Sequence, residues 1–298
     1  MIEKEKILLN KIYQGDCLDI MKQIDQMVDL TFLDPPFNQN KDYQYFNDNL
    51  TDAEYWGMME KVCQNIYEVT NHGGSVYFMQ REKNTENVLK VLRETGWILQ
   101  NLIIWKKKTS AVPCANKYGK HYQIIAYAIK GDKPKCFNKL RIDIPLPANY
   151  KQSYDNGVFV TDVWDDIREL TSGYYAGDEA IRDGKGVRFH KQQSPIALLL
   201  RIILSSSMPN DLVFDPFTGT GTSLVVAKQL DRKFLGIEID PNNVKCIENR
   251  LASIQKSDSI NKFFKYYKYT DNINAIWQSD INNAVELNHK QTESTLFA

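Results

Sequence analysis

Apolar positions along the chain follow two patterns that alternate. Short β-prone runs, several nearly continuous in apolar residues, lie at 11–14, 28–33, 75–79, 99–105, 123–129, 212–214 and 234–239, with helical spacings between many of them. Strands apolar on both faces need cover on both faces, so the alternation predicts a doubly wound α/β architecture: a mostly parallel, seven-stranded sheet flanked by helices. Helix ends are marked as well. Thr51 and Glu54 have the spacing of a capping box ahead of Tyr55, Met58, Met59, Val62 and Ile66, and Gly73 with Gly74 is expected to stop that helix. Ser194-Pro195 reads as N-cap and first helical residue ahead of Ile196, Leu199, Leu200 and Ile203; Asp240-Pro241 repeats the device ahead of Val244, Ile247 and Leu251.

Two segments leave this alternation. Residues 131–188 contain Pro134, Pro145, Pro147 and six glycines, the composition of an inserted, irregular small domain. From 253 onward Phe263, Phe264, Tyr266, Tyr267, Tyr269 and Trp277 stand in a polar background, as in an appendage packed on the domain or a subunit contact. The expected organisation is therefore 1–130 and 189–252 as two halves of one domain, 131–188 as an insert and 253–298 as a tail.

Composition narrows the class. The 298 residues are 43% hydrophobic and 25% charged, a globular balance in which neither disulfides nor metals are needed for stability. Five scattered cysteines with no C-x-x-C pair support neither a disulfide framework nor a cysteine zinc site, so a reducing cytoplasm and no metal are expected. The first residues lack the apolar run of a signal peptide, and the most apolar stretch, 196–204, is broken by Arg201 and far shorter than the ~20 residues of a bilayer span, so no membrane association is expected. Charge is balanced, 37 against 37, yet residues 104–141 hold ten basic side chains and one acid. That segment, including Lys106, Lys107, Lys108, Lys139 and Arg141, is either a phosphate-facing patch or a solvated lysine-rich surface.

Two motifs carry chemistry. Asp215-Pro216-Phe217-Thr218-Gly219-Thr220-Gly221-Thr222 follows a strand and opens a helical pattern, where glycines let the backbone approach a ligand. Glu238, 23 residues after Asp215 at the end of the next strand, stands near the ~20-residue offset at which an acid binds a ribose hydroxyl, which indicates an adenosine-type cofactor. A carboxylate inside the turn repels a pyrophosphate but accepts from a methionyl ammonium group, favouring S-adenosylmethionine over NAD. The second motif, Asp34-Pro35-Pro36-Phe37-Asn38, ends a strand. Its prolines withhold two donors and stiffen the chain, leaving the Asp34 carboxylate and the Pro35 carbonyl as fixed acceptors for the two hydrogens of an exocyclic amine, while Phe37 is placed to stack on an extruded base.

As a set, Gly15-Asp16-Cys17-Leu18, Asp34 to Phe37, His190 to Pro195, Asp215 to Thr222 and Gly236 to Asp240 resemble the beta-class amino methyltransferases of DNA, in which the catalytic motif precedes the cofactor motif. The resemblance spans nearly all of residues 11–252. It implies a Rossmann-like methyltransferase sheet, circularly permuted, with 131–188 as the recognition region for double-stranded DNA and the loop 39–49 helping to read bases. It further implies that Asp16 and the backbone at Cys17 hold the cofactor's adenine, Glu238 its ribose, and the turn with Asp215, Phe217, Thr218, Gly219, Gly221 and Thr222 its methionine end, with Asp34 facing the same cofactor. His190-Lys191-Gln192-Gln193-Ser194-Pro195 departs from the family's H-P-T-Q-K-P: Gln192 and Ser194 occupy positions that help hold the cofactor carboxylate, and Lys191 is placed to supply the missing charge. In this family D-P-P-[FY] goes mostly with adenine N6, whereas N4-cytosine enzymes usually begin the motif with Ser. Carbon-5 methylation needs a thiolate nucleophile, and Pro113-Cys114 stands without the other motifs of that chemistry.

The expected activity is thus site-specific adenine methylation of duplex DNA in a bacterial cytoplasm, at the nucleoid. It would operate in restriction–modification beside a cognate endonuclease or alone, with a homodimer by family habit. Rival readings are N4-cytosine methylation of DNA, a catalytically silent DNA-binding subunit of the same fold and a nicotinamide oxidoreductase.

Overall fold

The computed structural model describes residues 7–43, 45–109, 114–143, 156–170, 178–182, 186, 189 and 193–277. In chain order the elements are β1 (Lys11–Gln14), α1 (Cys17–Met21), β2 (Val28–Leu33), β3 (Asp42–Tyr43), β4 (Phe46–Asn47), α2 (Asp52–Val69), β5 (Thr70–Arg81), α3 (Thr85–Glu94), β6 (Ile98–Lys106) and β7 (Tyr122–Ile129). There follow β8 (Arg141–Ile142), β9 (Val158–Phe159), β10 (Val163–Trp164), α4 (Ile196–Ser206), β11 (Leu212–Asp215), α5 (Thr222–Gln229), β12 (Lys233–Glu238), α6 (Pro241–Ala252) and α7 (Ile273–Ile276).

One sheet organises the molecule, in the order β1-β12-β11-β2-β5-β7-β6-β10. All seven expected strands are in it. An eighth, the two-residue β10 from the segment read as an insert, extends it beside β6, so the sheet has eight strands rather than seven. Pairing is parallel throughout except around β7, which runs antiparallel to β5 and β6. The first strand pairs with the last, β1 with β12, so the chain opens at one loop of a sheet that its final strands complete. The core forms two layers, one on each sheet face, and β2 contributes Leu30 and Phe32 to one and Val28 and Leu33 to the other.

The caps at Thr51 and Asp240 form as the spacing predicts: Thr51 and Glu54 make both halves of a capping box, and Asp240 accepts from Asn242 N ahead of Pro241. Two helix boundaries differ from the sequence reading. The helix expected to run to Gly73 ends at Val69, because buried Thr70 turns its hydroxyl back to the Ile66 carbonyl and starts β5 directly. Gly73 then sits inside the strand at φ +80°, where a Cβ would meet the Lys135 nitrogen at 2.6 Å, beside a register shift against β2. At α4, Pro195 rather than Ser194 holds the cap position without a side-chain bond, and the Ile196 amide donates instead to the Glu179 carboxylate. Helix α4 is also buried all round, including Arg201, whose guanidinium forms an ion pair with Asp166 and donates to the Tyr267 hydroxyl. Tyr267, Ile273, Ile276 and Trp277 of the aromatic tail pack into the same layer.

Candidate functional site

Parallel strands aim their carboxyl ends at one edge of the sheet, where backbone groups leave the ladder and loops diverge. Four neighbouring strands do so here: β1 leads into Asp16-Cys17, β12 into Glu238, β11 into Asp215 and β2 into Asp34. Their loops surround a crevice of about 980 Å³, lined by Asp16, Cys17, Asp34 to Phe37, Ser194, Asp215, Phe217, Thr218, Gly219, Thr222 and Glu238. Asp34 and Gly219, far apart in sequence, therefore share one cavity.

Local hydrogen bonds hold each part. Asp16 caps α1 through Leu18 N at 2.7 Å, and the Gly15 amide donates to the Glu238 carbonyl at 3.0 Å, tying the β1 and β12 ends together. Glu238 Oε2 accepts from Gly219 N at 2.8 Å and its Oε1 from Asp240 N at 2.9 Å, so this acid braces the glycine turn against the start of α6. Asp215 accepts from Phe217 N at 3.0 Å and from the Ser223 hydroxyl. Asp34 Oδ2 accepts from the Ser194 hydroxyl at 3.2 Å. Both glycines of the turn have positive φ, Gly219 at +54° and Gly221 at +73°.

Gly221 does not line the crevice. A Cβ there would meet Ile247 of α6 at 2.8 Å, so helix packing requires a glycine at this position. Gln192 lies outside the described residues.

Three acids, half-buried Asp34 and buried Asp215 and Glu238, thus converge with hydroxyl and backbone N–H partners. Burial pushes the Asp34 carboxyl up to about 7, helped by the charge of Asp215 and opposed by the Ser194 bond and by Lys107 and Lys41. Burial likewise raises Asp215 to about 7 against its Ser223 and Phe217 hydrogen bonds, and Glu238 is raised by the same cause. Such a cluster repels phosphate and receives a cation.

Of the basic side chains read from sequence, the structure brings only part to this edge. Lys106 ends β6 and is exposed, as is Lys108, whose backbone amide donates to Glu169 at 2.8 Å. Lys107 turns inward: its Nζ lies 3.2 Å over the Trp105 ring, donates to Gln123 and lines the crevice, where burial lowers it to about 8 despite Glu169 and Asp34 nearby. It is a crevice residue rather than an outward phosphate contact. Lys139 follows Asn138, which bonds the carbonyls of Leu204 and Ser205 at the far end of α4 from Ser194, so it stands away from the site. Arg141 stacks at 3.8 Å on Phe159 and bonds the Asn156 and Gly157 carbonyls, and does not line the crevice either. The basic segment is dispersed further by Lys135, which pairs with Asp29 and Asp211 at the opposite edge of the sheet.

Several supporting residues were not legible in sequence. Asp48 accepts the amides of Asn38, Gln39 and Lys41 at 2.8–3.1 Å, and Glu169 of the insert accepts those of Lys108 and Thr109 and the Thr109 hydroxyl. Burial raises the Glu169 carboxyl, but these bonds outweigh it and hold it at about 2. No short motif announces such acids, because their partners are main-chain groups many residues away.

A family model described as DNA methylase, of the N6/N4 methyltransferase type, matches residues 28–249. The chain belongs to that family. Among its relatives, DNA adenine methyltransferase YhdJ of Escherichia coli K12 is 31% identical over 254 residues, covering 80% of this chain and 82% of YhdJ. Type II methyltransferase M.BamHI of Bacillus amyloliquefaciens is 32% identical over 270 residues, covering 85% of this chain, which spans only 59% of M.BamHI. The solved complex of M1.HpyAVI with SAM superposes with a TM-score of 0.55 at 22% identity over 82% of this chain and 99% of the other. The cytosine-N4-specific PvuII DNA methyltransferase superposes with a TM-score of 0.60 at 17% identity over 91% and 95%, respectively. The protein is a DNA methyltransferase with the Rossmann-like fold of this group, and S-adenosylmethionine is the cofactor of the chemistry. The acid cluster fits that cofactor, whose sulfonium and ammonium groups are cationic, and does not fit a dinucleotide pyrophosphate.

Proposed function

We propose that the protein methylates the exocyclic N6 of an adenine extruded from double-stranded DNA. The observation that carries this reading is the placement of Asp34-Pro35-Pro36-Phe37 at the carboxyl end of β2, in one crevice with the glycine turn. Asp16 and Cys17 would hold the adenosine base, Glu238 the ribose, and Asp215 with Phe217, Thr218, Gly219 and Thr222 the methionyl end, with Ser194 at the Asp34 side. When bound, S-adenosylmethionine supplies an electrophilic methyl group on sulfur. The Asp34 carboxylate and the Pro35 carbonyl accept the two amine hydrogens, which withdraws the nitrogen lone pair from the ring and directs it into the crevice. Phe37, buried at the crevice wall, offers the extruded base a stacking face. Lys106 and Lys108 stand at the same edge to meet phosphates, and Glu169 and Leu170 of the insert line the crevice together with Lys41, Tyr45 and Phe46 of the loop 39–49.

Adenine is favoured by Asp34 at the head of the motif and by the name of YhdJ, and the Type II names of M.BamHI and M.HinfI support a restriction–modification setting. The five cysteines, scattered along the chain without a C-x-x-C pair, suit the reducing cytoplasm of such a system. The test is transfer of labelled methyl from S-adenosylmethionine to unmethylated bacterial genomic DNA, followed by nucleoside digestion, with Asp34→Ala as control. N6-methyladenine formed by the wild type alone is the expected product. N4-methylcytosine instead would overturn the choice of base, and equal silence of both proteins despite cofactor binding would overturn the enzymatic reading.

A further inference from the structure

The loop after β2 carries an unusual constraint. Pro35 and Pro36 have no N–H, and their rings lock φ, so the remaining freedom of the loop lies in the ψ angles that orient the two carbonyls. One of those carbonyls is held from outside the loop. The Tyr55 hydroxyl, in the first turn of α2, donates to the Pro36 carbonyl at 2.7 Å and accepts from Gln80 Nε2 of β5 at 2.9 Å, while Gln80 Oε1 accepts from the Arg81 amide at 2.9 Å. Tyr55 is 1% exposed and Gln80 is fully buried, and neither lines the crevice.

An apolar pair would fill this space without the desolvation that a buried phenol and amide require. Tyr55 is otherwise packed among Met59, Val62 and Ile66 in the apolar layer. The polar pair therefore serves the carbonyl it holds. On the amide side the same loop is clamped by Asp48, and the Asn38 side chain exchanges two bonds of 2.8 Å with the Leu50 backbone just ahead of α2. Fixing the Pro36 carbonyl fixes the Pro36–Phe37 peptide plane, and with it the spacing between the Asp34 carboxylate and the Phe37 ring.

Resting on the adenine methyltransferase reading above, we propose that Tyr55, oriented by Gln80, is a positioning residue for methyl transfer: it sets ψ of Pro36 and so the distance between the amine acceptor at Asp34 and the stacking face at Phe37. It acts on the transfer step and leaves cofactor binding alone, because Asp16, Asp215 and Glu238 stand on other strands.

The test is the single-turnover rate of labelled methyl transfer to unmethylated genomic DNA by the full chain, alongside affinity for S-adenosylhomocysteine and thermal unfolding. Tyr55→Phe is expected to slow transfer at least about tenfold, since small misplacements at a reacting centre have effects of this size or larger, with cofactor-product affinity within about twofold. The double variant Tyr55→Phe with Gln80→Leu removes the buried Gln80 amide left unpaired by the single change, while the Pro36 carbonyl stays unheld. It is expected to regain part of the unfolding midpoint lost in the single variant while remaining slow. A wild-type rate in Tyr55→Phe, or recovery of rate together with stability in the double variant, would overturn the positioning role. Failure of the wild type to modify DNA at all would instead overturn the proposed function, and the two results are read in separate arms.

Discussion

The Ser194 hydroxyl donates to Asp34 Oδ2 at 3.2 Å, linking the residue that precedes the Pro195 cap of α4 to the head of the amine-binding loop across 160 residues of chain. This bond favours the ionised carboxylate, opposing burial and the charge of Asp215. Ser194→Ala removes it, and the Asp34 pKa rises from about 7. The acidic limb of the pH–rate profile is expected to move upward by up to about one unit, with transfer about three- to tenfold slower at pH 7 and largely recovered at pH 9. A profile superimposable on that of the wild type would show that the contact does not govern Asp34.

Ionising Asp34 in the folded protein is costly. Its carboxyl is raised from 3.8 to about 7, so between those values the native state keeps a proton that the unfolded chain has released, and stability falls as pH rises through the window. Asp34→Asn therefore stabilises the cofactor-free protein at pH 8, by on the order of 1–3 kcal/mol, and has little effect at about pH 3, where both states largely hold the proton. Thermal unfolding of the two proteins at both pH values checks the sign; a loss of stability at pH 8 contradicts it.

The same carboxylates must be ionised to receive a cation. Asp34 and Asp215 both titrate near 7, so S-adenosylmethionine is expected to bind more weakly as pH falls from 8 to 6, by about three- to tenfold. Calorimetric titration over this range should show protons released on binding at pH 6. Affinity independent of pH would mean that neither acid faces the cationic groups.

Gly221 combines φ of +73° with an approach to Ile247 that leaves no room for a Cβ. Gly221→Ala is expected to lower stability by about 1–3 kcal/mol through backbone strain and overpacking against α6. Denaturant unfolding measures this. Cofactor affinity should change mainly through stability, because the residue does not line the crevice.

The distribution of lysines makes a further distinction. Lys106→Ala with Lys108→Ala is expected to weaken duplex binding and reduce the salt dependence by about one unit of slope per lysine. Lys139→Ala should leave both unchanged, since Lys139 stands at the far end of α4. Equal effects of Lys139 and the pair would place DNA on a different face.

Much of this was written locally in the chain. Seven strands, the Thr51 and Asp240 caps and the two motifs at strand ends depend on the spacing of neighbouring residues, which the sequence displays directly. The eighth strand did not appear, because two residues carry no periodicity and β10 exists only where β6 offers it an edge. Nor could spacing tell that Ser194 would leave its helix to bind Asp34, that Glu179 would take over the cap of α4, or that Lys107 would turn inward over Trp105. Each of those choices is made by a partner from a distant strand or loop competing with a local one. Local spacing therefore settled the seven expected strands, the Thr51 and Asp240 caps and the two motifs; the packing of the sheet decided which short strands join them, which side chains meet at its carboxyl edge and in what state of charge.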